Sequence, residues 1–281
     1  MSNRTEEIYF NSNVTNKKIQ LGKCRLDDLF PHLLLASSNA TIEPTDNIFT
    51  ATFMLSRLLE SFTNCLVVLD NEKPIGALRP LNILKEYLKK PNREFFDKTL
   101  VNELMSTDLC IVDTQTKLSE LIRKMKKSEL DFAILQYKKG IFSTISTRRL
   151  VELGTLCDTN IAVSQIQTKN ITICEKNDSI KKVILSMIAN NTNVVIIENT
   201  PHVITSKLLL EKILNELREP EKIHGLLDSK INTLDPYAAT IIPNYTTIPD
   251  MCKIMLQMKY PYVMTSSQLI TPYDLSLILG R

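Results

Sequence analysis

"LITPYDLSLIL", residues 269–279, ends one apolar run at Thr271, continues through Pro272 and Tyr273, and sets Asp274 ahead of a second aliphatic run. Threonine caps helices, proline suits the first helical position, and an acid in the first turn complements the helix dipole. The stretch therefore predicts a strand that turns directly into a helix at Thr271.

The same shape recurs three times upstream, as "IGALRPLNIL" (75–84), "FSTISTRRLV" (142–151) and "HVITSKLLLE" (202–211). The positions equivalent to Thr271 are Arg79, Ser146 and Thr205, so the four are separated by 67, 59 and 66 residues. Ahead of each lies a run with apolar or small residues at i, i+3, i+4 and i+7, one face of an α-helix. These runs are Ile48/Ala51/Thr52/Leu55, Leu118/Leu121/Ile122/Met125, Ile180/Val183/Ile184/Met187 and Ile248/Met251/Cys252/Met255. Their lead residues are 70, 62 and 68 apart, in step with the first marker. Two markers in one register identify a four-fold repeat.

Between helix and tail motif each repeat carries two short apolar runs joined by a turn, such as "CLVVLD" and "IGAL" around "NEKP". A further extended piece precedes each helix: "TIEP", "CIVD", "NITIC" and "ATIIP". Each unit thus reads strand–helix–strand–strand–helix. One such unit exposes more apolar sheet than it can cover, so the units are expected to pack in pairs.

Bulk composition narrows the function classes. A formal charge of +3 over 281 residues gives no electrostatic reason to expect nucleic acid. No apolar stretch reaches the roughly 20 residues needed to cross a bilayer, and the polar N-terminus has no signal-peptide core. The six cysteines show no Cys-x-x-Cys and no metal-ligand spacing, so they read as small core residues in a reducing compartment. A cytoplasmic protein is expected, without membrane or nucleic-acid partner. His32, His202 and His224 form no triad or metal motif, and the six glycines form no phosphate loop. Catalysis and a metal site are not expected.

The order of elements and the tail motif resemble the CBS domain, named after cystathionine β-synthase, in four copies from about Cys24 onward. The resemblance implies an α+β fold of four CBS repeats packed as two pseudo-symmetric Bateman modules. It divides the chain into a tail (1–23), a first pair (24–158) and a second pair (159–281). Four copies without a catalytic domain are similar in layout to the γ subunit of AMP-activated kinase. In CBS domains that bind adenosine ligands, the tail motif is Gly-x-x-Thr/Ser-x-x-Asp. Its hydroxyl reaches a phosphate and its carboxylate holds the ribose hydroxyls.

Carried over residue by residue, the fourth repeat matches at Thr271 and Asp274. The first repeat has Arg79 and Asn82, the second Ser146 and Arg149, and the third Thr205 and Leu208. The resemblance implies a nucleotide site in the second pair, built from Thr233, Ala238, Met258, Lys259, Tyr260, Thr271 and Asp274, with Lys207 facing the phosphates. The implied ligand is an adenosine nucleotide, AMP or ATP foremost, with ADP and S-adenosylmethionine as further members of the class. No cofactor is implied. The expected role is a stand-alone sensor that regulates a partner. The alternative is a ligand-free CBS scaffold for dimerisation or protein–protein interaction. A homodimer through the helices is expected, or closure of the same arrangement within one chain.

Overall fold

The computed structural model describes residues 21–30, 40–58, 62, 64–128, 130–138, 141–157, 159–166, 172–217, 225–266, 268–276 and 278–279. Most of the expected 1–23 tail, together with His32 and His224, lies outside these residues. A short lead-in helix, α1 (Leu26–Leu29), precedes the first repeat. That repeat is β1 (Thr41–Ile42), α2 (Ile48–Phe53, ending in a π turn at Met54–Leu58), β2 (Leu66–Asp70), β3 (Lys73–Leu78) and α3 (Pro80–Tyr87). Helices α4 (Arg93–Lys98) and α5 (Val101–Leu104) lead to the second repeat. It comprises β4 (Ile111–Asp113), α6 (Leu118–Ser128), β5 (Phe132–Lys138), β6 (Ile141–Ser146) and α7 (Thr147–Gly154). The third is β7 (Ile173–Cys174), α8 (Ile180–Ala189), β8 (Val194–Ile197), β9 (His202–Thr205) and α9 (Ser206–Glu216). After β10 (Tyr237–Ala238), the fourth is β11 (Thr240–Ile241), α10 (Ile248–Gln257), β12 (Val263–Met264), β13 (Leu269–Ile270) and α11 (Pro272–Ser276).

In every repeat the first strand runs parallel to the second, and the second pairs antiparallel with the third. A parallel pair needs a crossover, which the first helix of each repeat supplies. Local chemistry sets the helix starts. Asn47, Ser179 and Thr247 cap α2, α8 and α10 by accepting the backbone N–H of Thr50, Lys182 and Asp250.

The segments that lead into the repeats are exchanged between neighbours. Leu26 donates its N–H to the Thr116 carbonyl and Leu118 donates to that of Cys24, so the lead-in to repeat one sits at the start of α6. The same reciprocal contact joins Val101 to Asp46 and Ile48 to Thr99. It recurs for Val163 with Thr246 and Ile248 with Ile161, and for Ile231 with Asp178 and Ile180 with Ser229. Each lead-in carries an apolar pair three residues apart: Leu26/Leu29, Val101/Leu104, Val163/Ile166 and Ile231/Leu234. Backbone hydrogen bonds thereby tie repeat one to two and repeat three to four.

The apolar faces then close a cycle. Sheet residues Cys65, Val67 and Ala77 of repeat one share a core with Val112, Ala133 and Ile134 of repeat two. Ile196 and Val203 of repeat three share one with Tyr262 and Leu269 of repeat four. The helices face elsewhere. Ile48, Leu84 and Tyr87 of repeat one are clustered with Ile184, Leu209 and Ile213 of repeat three. Val151 of repeat two is clustered with Met251, Cys252 and Leu275 of repeat four. Sheets therefore meet within a pair, and helices meet across pairs, within one chain.

All six cysteines are free; Cys65, Cys110, Cys174 and Cys252 are buried. Burial pushes the thiols of Cys110, Cys157 and Cys174 up to about 11 and that of Cys252 to about 12. Since the folded values lie above the usual thiol value of 9.0, the folded chain holds these protons longer than the unfolded one. The stability they contribute is complete below about pH 9 and lost as pH rises through about 11–12. Thermal melts should hold steady from pH 7 to 8.5 and fall steeply above pH 10. Iodoacetamide at pH 8 should label the buried thiols of the native chain far more slowly than those of the denatured chain.

Candidate ligand site

The closed cycle leaves a cavity of about 120 Å³ where the four repeats meet. Repeat one contributes Phe62, Asn64 and Arg79, and repeat two Asp131 and Thr147. Repeat three contributes Thr172 and the stretch 191–194. Repeat four contributes Tyr262, Leu269 and the quoted turn from Thr271 to Asp274.

The quoted turn forms a reciprocal cap. Asp274 Oδ2 accepts the Thr271 N–H at 2.9 Å and the Thr271 hydroxyl at 2.7 Å, while the Asp274 N–H donates to Thr271 Oγ1 at 3.3 Å. This satisfies backbone donors that a helix start otherwise leaves open. The carboxylate is buried, 5% exposed, at the cavity wall. Repeat one has half of this device: Asn82 Oδ1 accepts the Arg79 N–H at 3.0 Å. In repeat three Thr205 caps the N–H of Leu208, whose side chain can accept nothing.

The structure divides the eight residues expected at the site. Thr271 and Asp274 line the central cavity. Lys207 stands close enough to bear on the carboxyl of Asp131, which belongs to the cavity wall. Thr233, Ala238, Met258, Lys259 and Tyr260 are not among the residues lining it. Thr233 is exposed in a single helical turn, its hydroxyl donating to the Lys230 carbonyl at 2.8 Å. Ala238 sits in β10, which adds to the sheet of repeat three opposite His202. Met258, Lys259 and Tyr260 follow α10; Tyr260 stacks on Tyr237, while Met258 packs against the cluster that includes Leu275.

The reason is the exchange within the pair. Because the sheets of repeats three and four pack face to face, the tail motif of one meets the strand starts of the other. Asp274 thus faces Thr172 and 191–194 of repeat three. Tyr237 and Ala238 instead pair with β9, the strand that ends at Thr205. The Tyr237 and Tyr260 rings stack with centroids 3.6 Å apart and 11° between planes, and Lys259 Nζ lies 5.1 Å from the Tyr260 ring centroid. Burial and a hydrogen bond to Tyr260 raise the Tyr237 phenol well above its ordinary range.

Asp131 and the asparagines were not singled out by the sequence. Asp131 Oδ2 accepts from Asn64 Nδ2 at 2.7 Å, joining repeats one and two at the cavity. Burial raises its carboxyl, while the Asn64 amide, Lys207 and Arg79 favour the ionised form. Asn193 accepts from the hydroxyl of Ser206 at 3.1 Å and its carbonyl from the Ser206 N–H at 2.9 Å, fixing the 191–194 stretch against the start of α9. The available signal was positional, since Asn191–Asn193 precede β8 as Tyr260–Tyr262 precede β12. Among the described residues, no group of histidine, cysteine and acidic side chains could hold a metal ion, and no helix is long and apolar enough to cross a membrane.

Comparison with known proteins places the fold. No protein-family model matches the chain, and no curated protein matches its sequence. A solved structure from Methanocaldococcus jannaschii, described as a candidate archaeal homologue of g-AMPK, superposes with a TM-score of 0.75 at 14% identity. The match covers 90% of this chain and 99% of that one. A Pyrococcus horikoshii protein superposes with a TM-score of 0.54 at 11% identity, over 86% of this chain and 96% of that one. A CBS domain-containing protein from Bacillus anthracis matches 48% of this chain and 94% of its own, at 18% identity and a TM-score of 0.39. The α+β architecture of four strand–helix–strand–strand–helix repeats is the one expected from the sequence.

Proposed function

We propose that this four-repeat CBS fold is a non-catalytic regulatory protein that binds an adenosine-type ligand at the central cavity and signals its presence to a partner protein. The observation that carries the reading is convergence: Arg79, Thr147, Thr271 and Asp274, from three of the four tail motifs and their helix starts, line one cavity with residues of all four repeats. A ligand seated there touches both pairs, 24–158 and 159–281, and so can alter how they meet. Asp274 is assigned to the ribose and Thr271 to the adjoining oxygen. Thr172 and Asn191–Asn193 take the part expected of Thr233, Ala238 and Met258–Tyr260. Lys207 supplies positive charge from behind Asp131.

A thermal-shift screen of adenosine compounds tests this. At ligand a hundredfold above its dissociation constant, binding adds roughly 2.7 kcal/mol, or about 5–10 °C of melting temperature for a chain this size. Asp274→Asn keeps an acceptor for the cap but loses the charge, so it should weaken binding about tenfold while the unliganded melting point moves little. If no adenosine compound shifts the wild type at millimolar concentration, the ligand reading fails.

The second reading is the ligand-free scaffold. It is favoured by the completed cap, in which Asp274 Oδ2 already accepts twice from Thr271. Under it, Asp274→Asn changes partner binding only as far as it changes stability.

A further inference from the structure

The charges around the cavity discriminate among adenosine ligands. Among the described residues lining it, three are charged: Arg79, Asp131 and Asp274, one cation against two carboxylates. Lys207, outside that lining, favours the ionised form of Asp131. The remaining polar lining is uncharged, chiefly Asn64, Asn191, Asn193, Thr147 and Thr172. Amides and hydroxyls satisfy a neutral polar ligand but do not neutralise a run of phosphates.

A nucleoside triphosphate brings about four negative charges at neutral pH into a cavity whose described lining carries no net positive charge, and a buried charge without a partner is costly. One of the two carboxylates, Asp131, is held in place by Asn64 at 2.7 Å and cannot swing away without breaking that bond.

We propose that the cavity selects an adenosine compound whose tail is neutral, zwitterionic or cationic over nucleoside di- and triphosphates, and that Asp131 is the selecting residue. This rests on the ligand reading above and narrows it. In place of the AMP or ATP expected from sequence, an adenosine carrying a sulfonium or ammonium group fits, its positive charge lying toward Asp131.

Calorimetric titration of the full chain with adenosine, AMP, ATP and S-adenosylmethionine tests it. The expected order for the wild type puts adenosine and S-adenosylmethionine at least about tenfold tighter than ATP, as one desolvated charge pair warrants. Asp131→Asn keeps a partner for Asn64 and should bring ATP and S-adenosylmethionine together, each moving about threefold in opposite directions. Tightest wild-type binding by ATP overturns the inference and leaves the ligand reading standing; this needs no variant. An unchanged order in a folded Asp131→Asn removes Asp131 from the role and overturns the proposal as stated. No binding by any of the four compounds removes the ligand reading itself, and the inference with it.

Discussion

Ile184→Ala will cost about 2–5 kcal/mol of unfolding free energy, the range for emptying a fully buried aliphatic site. Ile184 is 0% exposed and sits on the inner face of α8 with Ile180, Val183 and Met187. The face it covers belongs to repeat one, where Leu84 and Tyr87 of α3 complete the cluster. A loss of that size is a large part of the 5–15 kcal/mol available to an ordinary domain. Leu185, its neighbour in sequence, is 49% exposed, and Leu185→Ala should stay within about 0.5 kcal/mol of wild type. Urea unfolding of both variants checks the sign and the contrast. Combining Ile184→Ala with Leu84→Ala checks the direction of packing. A shared core across the two pairs predicts non-additivity of at least about 0.5 kcal/mol, whereas helices packed only within their own pair predict simple addition.

Gly154→Ala will destabilise the chain, although the same change in an ordinary helix stabilises by roughly 0.5–1 kcal/mol. Gly154 ends α7, and a Cβ built there meets Cys252 Sγ closer than real Cβ contacts come. Cys252 is 0% exposed in α10, so the sulfur has no open space to enter. The glycine lets the helices of repeats two and four approach closely. Overpacking there should cost about 1–3 kcal/mol. Cys252→Ala removes the clashing atom and should recover most of that loss in the double variant, a favourable coupling of about 0.5–3 kcal/mol by double-mutant cycle. If Gly154→Ala proves stabilising alone, repeats two and four do not meet as closely as the structure has them.

Both variants turn on contacts that the sequence does not announce, although the elements involved were legible in it. The α8 run Ile180/Val183/Ile184/Met187 is buried as its 3.6-residue spacing requires. The turn at Thr271 was legible too, because its hydroxyl, proline and carboxylate act within four residues of one another. The 237–238 strand was not expected. Its apolar content is slight, and it exists only because the edge of the repeat-three sheet is there to pair with it. The candidate cavity was legible only in part: Thr271 and Asp274 line it with Thr172 and 191–194, while Thr233, Ala238 and 258–260 are not in its lining. Asp131 was missed because no pattern marks an acid that opens an ordinary strand.

The sequence by itself determined the number of repeats, their register, the order of elements and the capped helix starts, because spacing and turn chemistry act over a few residues and need no partner. Only the tertiary structure decided that lead-ins are exchanged, that sheets meet within pairs, that helices meet across them, and that Asp274 and Asp131 share one cavity. The physical reason is that the hydrophobic effect is non-directional: an apolar face states that it must be covered, while shape and closure of the whole chain choose what covers it.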